Sequence, residues 1–119
     1  MDRNREFAGK TVLVTGAGKG IGYATAILMA ERGAHVVALS RSRSDLDALS
    51  NTIHCKAITV DLADAAATLA AVQQASEAQP IDLLVNCAGI VELEPFLDTS
   101  VDSFDRTMAV NVRAAMIVA

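Results

Sequence analysis

The sequence is poor in several residue types, and each shortage excludes something. Tryptophan is absent, and one tyrosine and three phenylalanines make up the 3% of aromatic residues, so the 52% of hydrophobic residues imply an aliphatic core. Cys55 and Cys87 are the only cysteines, too few for a disulfide scaffold, and reduced thiols in a cytoplasmic setting are expected. No apolar run approaches the ~18 residues of a membrane span. The charged start, Met1 to Glu6, is not followed by the apolar stretch of about 7–15 residues that a secretory signal requires. Positive charge is not in excess: 10 Lys and Arg stand against 14 Asp and Glu, a net charge of -4. The electrostatic footprint of a nucleic-acid binder is therefore missing, and a phosphate-bearing ligand would have to be attracted locally. Repeats of ~20–50 residues, low-complexity tracts and Gly/Ser/Pro linkers are also missing, so the 119 residues form one unit, a single domain over 1–119.

What is present is an alternation of strands and helices. Thr11 to Thr15 is a short β-branched run without polar alternation, which predicts a strand buried on both faces. From Lys19 to Arg32, Ile21, Ala24, Leu28 and Met29 recur at helical spacing, and Gly33 stops the helix. A second strand is expected over His35 to Ser40, then a short helix over Ser44 to Asn51 capped by Ser44. A third strand is expected over Lys56 to Val60, and Asp64 caps a helix running to about Glu77. Pro80 opens a fourth strand, Ile81 to Val85, and Thr99 or Ser100 starts a helix through Val101, Phe104, Met108 and Val112 that meets no stop signal. Buried strands alternating with helices pair in parallel through right-handed crossovers. The fold class is α/β, half of a doubly wound Rossmann-like sheet in the order 3-2-1-4, with a ligand crevice at the carboxyl ends between strands one and four.

The most informative stretch is Thr15-Gly16-Ala17-Gly18-Lys19-Gly20-Ile21-Gly22. Glycines between a strand and a helix let main-chain N–H groups approach a diphosphate at the positive end of the helix. Gly-x-Gly-x-x-Gly fails here, because Ile21 or Tyr23 falls at its last position, and the Walker pattern fails because Gly20 follows Lys19. Thr-Gly-x-x-x-Gly-x-Gly fits, through Gly16, Gly20 and Gly22. At the end of the second strand, where dinucleotide folds meet the adenosine ribose, stands Ser40-Arg41, with no acid before Asp45. A guanidinium pairs with a 2′-phosphate through a fork of charge-assisted bonds, and Lys19 adds a second positive charge. Together Lys19, Ser40 and Arg41 favour NADP(H). Solvated loop residues would also account for Arg41 and Arg43.

These residues resemble the short-chain dehydrogenase/reductase family. Thr15 to Gly22 looks like its cofactor turn. Asp61-Leu62, after strand three, matches the pair whose Asp bonds the adenine amino group in that family. Asn86-Cys87-Ala88-Gly89 matches its Asn-Asn-Ala-Gly stretch with Cys in the second place, where one polar contact of the family is replaced. Val110-Asn111-Val112 carries the helix asparagine that holds a water in the family's proton relay. Within the family, Val37 to Arg41, Asp45 to Leu49, Pro95-Phe96-Leu97 and Phe104-Asp105-Arg106 look most like the carbonyl reductases acting on L-xylulose and dicarbonyls. The resemblance implies an NADPH-dependent reduction of a small-molecule carbonyl, cofactor contacts from Gly16, Lys19, Gly20, Ile21, Gly22, Ser40, Arg41, Asp61, Leu62, Asn86, Ala88 and Gly89, a catalytic part for Asn111, and a homo-oligomer, a tetramer in the family.

Plainer roles stand beside these. Asp61 is a common turn residue and Asn86 a common strand end; Asn111 in mid-helix faces solvent or bonds a carbonyl. Cys87 fits a small packed thiol, and His35 and His54 show no metal-ligand spacing. The family's proton donor, a Tyr-x-x-x-Lys pair with a serine, has no counterpart: Tyr23 is the only tyrosine, and Ile27 stands where the lysine would. The expectation is an N-terminal part of an NADP(H)-dependent reductase, truncated before its fifth strand, with strand four as a hydrophobic edge. Alternatives are a catalytically inactive nucleotide-binding or subunit-interaction module or, within the family, a 3-oxoacyl-carrier-protein reductase-like enzyme or another alcohol dehydrogenase.

Overall fold

The computed structural model describes residues 5–119; Met1 to Asn4, most of the charged N-terminal stretch, lie outside the described residues. Strand β1, Thr11–Thr15, is buried at every position, as a β-branched run without polar alternation requires of a central parallel strand. It pairs in parallel with β2, His35–Ser40, on one side and with β4, Leu83–Asn86, on the other, and β3, Cys55–Thr59, pairs with the far edge of β2. The order is β3-β2-β1-β4, the doubly wound arrangement expected from the alternation. The register sets Thr15 opposite both Leu39 and Asn86. The three chains therefore leave the sheet at one level, and the loops that continue them meet at one edge.

Strand alternation divides the core in two. Val12, Val14, Val36 and Ala38 face helices α1, Gly20–Glu31, and α2, Arg43–Thr52, and pack with Ala26, Leu46 and Leu49. Leu13, Val37 and Leu39 face the other way, onto Ala71 and Ala75 of α3, Ala65–Ala78. Small side chains at the helix contacts let the helices lie close to a sheet of valines and leucines. Among the described residues, β4 has a strand on one side only, and Leu84 at this edge is exposed. No helix among them is long and apolar enough to cross a membrane.

Several boundaries differ from expectation for identifiable reasons. Helix α2 is capped by Ser42, whose Oγ accepts from the Asp45 N–H at 3.2 Å, and not by Ser44, which lies in the first turn. The Ser42 N–H donates to Ser40 Oγ at 3.2 Å, and that contact with the end of β2 holds Ser42 extended, as a cap must be. Strand β4 begins at Leu83 rather than Ile81, because Asp82 is used as a clamp: its Oδ2 accepts from the Thr11 N–H at 2.8 Å and its own N–H donates to the Thr11 carbonyl at 2.9 Å. Asp64 caps α3 as expected, accepting from Ala67 at 3.0 Å, and Ser100 is the cap chosen for α4, Val101–Met108. The last helix is not uniform. A π-helical segment, Ala109–Arg113, interrupts it before it resumes as α5, Ala114–Val118.

Candidate functional site

The site begins where β1 ends. Gly16 has φ +64°, and a Cβ there would stand 2.8 Å from the backbone of Ala88, so the turn and the β4 loop touch only because no side chain intervenes. The Ala88 N–H donates to Thr15 Oγ1 at 3.2 Å and the Ala17 N–H to the Leu39 carbonyl at 3.2 Å, which fixes the turn to both neighbouring strands. Gly22 serves a different contact: a Cβ there would lie 2.1 Å from the Gly16 carbonyl oxygen. Helix α1 can approach its own turn only through this gap.

The N-terminus of α1 is built unlike those of α2, α3 and α4. Helices α2, α3 and α4 carry side-chain caps from Ser42, Asp64 and Ser100, whereas Lys19 at the start of α1 makes no side-chain cap. Its N–H groups and the positive end of its dipole are left for an acceptor from outside the helix.

A cavity of about 280 Å³ opens beside this turn, at the carboxyl edge of the sheet. Its wall brings together Lys19, Ser40 and Arg41, with Ser42 and Asp45, and also Asp61, Leu62 and Arg106, with Gly16, Ala88 and Gly89. The structure thus brings together eight of the residues singled out in the sequence. Gly20, Ile21, Gly22 and Asn86 are not on the cavity wall. Gly20 and Ile21 open α1, with the Ile21 side chain exposed, Gly22 packs on Gly16, and Asn86 is held in the ladder opposite Thr15.

Asp61 serves as a turn residue and also lines the cavity. Its Oδ1 accepts from the Ala63 N–H at 3.0 Å, the turn role, while Oδ2 lies 3.9 Å from Arg106 Nη1 in the cavity wall. Arg113 donates to the Ala63 carbonyl at 2.6 Å, so two arginines of the last helical run grip the loop after β3. Asn111, also outside the cavity wall, is spent on backbone: its Oδ1 accepts from the Ile90 N–H and its Nδ2 donates to the Ile90 carbonyl, both at 2.8 Å. It sits in the π-helical segment, the kind of local irregularity that recurs at functional sites, and holds the chain just past Gly89. Asp45 and Arg106 were not singled out as site residues from the sequence. The Ser42-x-x-Asp45 spacing is the one local signal for Asp45; Arg106 has none, because its partner comes from a distant loop.

A parallel sheet whose order reverses beside a glycine turn, with a cavity at its carboxyl edge, defines a nucleotide-binding α/β protein. The chain belongs to the short chain dehydrogenase family, whose model matches residues 10–119. It is 47% identical over 112 residues to L-xylulose reductase of Mesocricetus auratus, covering 93% of this chain and 45% of that protein. It is 43% identical over 113 residues to carbonyl reductase [NADPH] 2 of Sus scrofa, covering 94% and 45%. A solved structure of a metagenomic short-chain oxidoreductase in complex with NADP superposes with a TM-score of 0.89 at 28% identity, over 95% of this chain and 54% of that one. The chain spans about half the length of the curated relatives it matches.

Proposed function

We propose that these residues form the cofactor-binding half of an NADP(H)-dependent reductase that acts on a small carbonyl compound of the L-xylulose or dicarbonyl kind. The observation that carries this reading is the joint presence, on the wall of a single cavity, of Lys19, Ser40 and Arg41 beside a helix N-terminus with no side-chain cap. The glycine turn with the first N–H groups of α1, at Gly20, Ile21 and Gly22, would hold the diphosphate. Lys19, Ser40 and Arg41 would hold the 2′-phosphate, which Arg41 suits through its fork of donors. Asp61, through the oxygen not used in its turn, and Leu62 would receive the adenine, and Ala88 and Gly89, carried by the strand end at Asn86, would floor the nicotinamide ribose. When bound, the cofactor supplies a hydride to the carbonyl carbon. Asn111 fixes Ile90 and with it the wall on that side.

The developing alkoxide then needs a proton from a donor with a tuned pKa. Tyr23 lies on α1, just past the glycine turn, and has Ile27 rather than a lysine one turn on. In this reading the Tyr-x-x-x-Lys pair belongs to sequence outside these 119 residues, in a cytoplasmic enzyme in which Cys55 and Cys87 stay free. A second reading, a subunit-interaction module, draws on the exposed stripe of Phe104, Met108, Val112 and Met116 along the last helical run. The two agree if the stripe is the surface of a homo-oligomer, a tetramer by analogy with the family.

Fluorescence titration of the purified chain with NADPH and NADH tests the proposal. Saturable binding with NADPH preferred is expected, without turnover of a dicarbonyl. Arg41→Glu should weaken NADPH at least ~30-fold, as loss of one phosphate-paired charge and introduction of its opposite implies, and NADH by less than about threefold. Folded protein that binds neither dinucleotide, or equal losses for both in the variant, would refute the assignment.

A further inference from the structure

Helix α2 opens with Ser42-x-x-Asp45, the spacing of a reciprocal cap, in which the acid at the third helical position accepts from the N–H of the capping serine. Only half of that cap forms. The Asp45 N–H donates to Ser42 Oγ, but the Ser42 N–H goes to Ser40 Oγ, each at 3.2 Å. Capping is therefore complete without the Asp45 carboxylate, which turns onto the glycine turn instead. A Cβ on Gly18 would stand 2.9 Å from Asp45 Cβ and 3.3 Å from Oδ2, and Oδ2 lies 3.8 Å from Lys19 Nζ. The Asp45 side chain is 26% exposed and that of Lys19 83% exposed. The carboxylate is lodged in the cavity wall, while the Lys19 side chain, on the same wall, is largely open to solvent.

We infer that Asp45 is a specificity-determining residue that sets how strongly the site prefers a phosphorylated dinucleotide, by placing one negative charge among the cations that would receive the 2′-phosphate. The inference rests on the NADP(H) reading above. A phosphate monoester carries between one and two negative charges at neutral pH. To reach Lys19 it must draw the ammonium from Asp45 and then sit near that carboxylate. A dinucleotide with a free 2′-hydroxyl meets no such repulsion. Asp45 also favours the N-terminus of α2, where an acid belongs, so its presence costs the fold nothing while it limits the ligand.

The test is Asp45→Asn, which keeps the side-chain size and the N–H bond to Ser42, with Asp45→Ala as a second variant in which no amide can replace the lost oxygen. NADPH and NADH dissociation constants are read by cofactor fluorescence at low ionic strength and again at ~0.5 M salt, where screening acts over a few ångströms. One unit charge acting on a phosphate across a half-open cavity corresponds to about three- to tenfold in affinity. NADPH should bind both variants tighter by that factor at low salt, NADH should move by less than about twofold, and most of the NADPH gain should disappear at high salt. Weaker NADPH binding in both variants would mean that Asp45 positions Lys19 for the ligand and would overturn the inference; so would equal shifts for the two dinucleotides, or no shift. These failures leave the NADP(H) reading intact. A wild-type chain that binds neither dinucleotide overturns that reading, and this one with it.

Discussion

Gly22→Ala separates two effects of opposite sign on one residue. Gly22 lies in the first turn of α1, and alanine in place of a helical glycine normally stabilises by up to about 1 kcal/mol. The new Cβ, however, would stand 2.1 Å from the Gly16 carbonyl oxygen and 2.7 Å from its carbon. Both are backbone atoms of a turn bonded to β2 and β4, so the contact cannot be relieved by rotating a side chain. Overpacking of this kind costs about 1–3 kcal/mol and occasionally more, which outweighs the helical gain. The net expectation is destabilisation by about 1–2 kcal/mol, a fall in Tm of about 4–10 °C for a chain of this size. Relief has to come from moving α1 off the turn, and this shifts the N–H groups proposed for the diphosphate. NADPH and NADH should therefore both weaken at least tenfold, unlike the selective loss in Arg41→Glu. Gly20→Ala is the comparison: φ is +57° there but a Cβ meets nothing within 4 Å, so only the left-handed backbone cost of roughly 1–2 kcal/mol applies. Thermal unfolding followed by circular dichroism, with parallel titrations, measures both. A Gly22→Ala protein as stable as wild type with unchanged affinities would refute the close approach of helix and turn.

Much of this geometry was readable from the chain. The unbroken β-branched run of β1 and the alternation of strands with helices determine a parallel sheet, and chirality then leaves few orders besides 3-2-1-4. Lys19, Ser40, Arg41 and Asp61 were identifiable because each lies at the end of a strand or in the loop that follows it, and parallel strands deliver all such positions to one edge. What escaped the sequence depends on contacts between elements. The cap of α2 moved from Ser44 to Ser42 because Ser40, in the preceding strand, takes the Ser42 N–H, a bond that helical periodicity does not register. Gly16, Gly20 and Gly22 read as one motif, and the sequence does not show their separate structural demands: Gly16 borders the cavity, Gly20 opens α1 with a positive φ, and Gly22 packs against the backbone of Gly16. The π-helical segment left no mark because Phe104, Met108 and Val112 keep a spacing of four through it. Arg106 joined the site through Asp61, far away along the chain, which no local pattern foretells.

Substitutions at two further positions probe the last helical run. Met116→Glu falls on the exposed stripe and away from the core, so the stability of the folded chain should change by no more than about 0.5 kcal/mol. If the stripe joins copies of the chain, sedimentation should show a smaller species for this variant than for wild type; equal masses would remove the stripe as an interface. Asn111→Ala removes both hydrogen bonds to Ile90, which lie at the exposed side of the molecule. A hydrogen bond contributes about 0.5–1.5 kcal/mol net, but here water can replace the lost partners, so the pair together should contribute about 1 kcal/mol. The global effect is thus small and the local one large. Deuterium exchange at the Ile90 amide should accelerate at least about fivefold, a factor corresponding to ~1 kcal/mol of local opening, while amides of β1 change little. Asn111→Asp is the sharper probe, since it keeps the acceptor for the Ile90 N–H but sets a carboxylate oxygen against the Ile90 carbonyl. If the clamp holds as described, Asp should protect the amide no better than a partly opened loop. Exchange at Ile90 unchanged in both variants would show that Asn111 does not hold this segment, and the wall beyond Gly89 would then need another support.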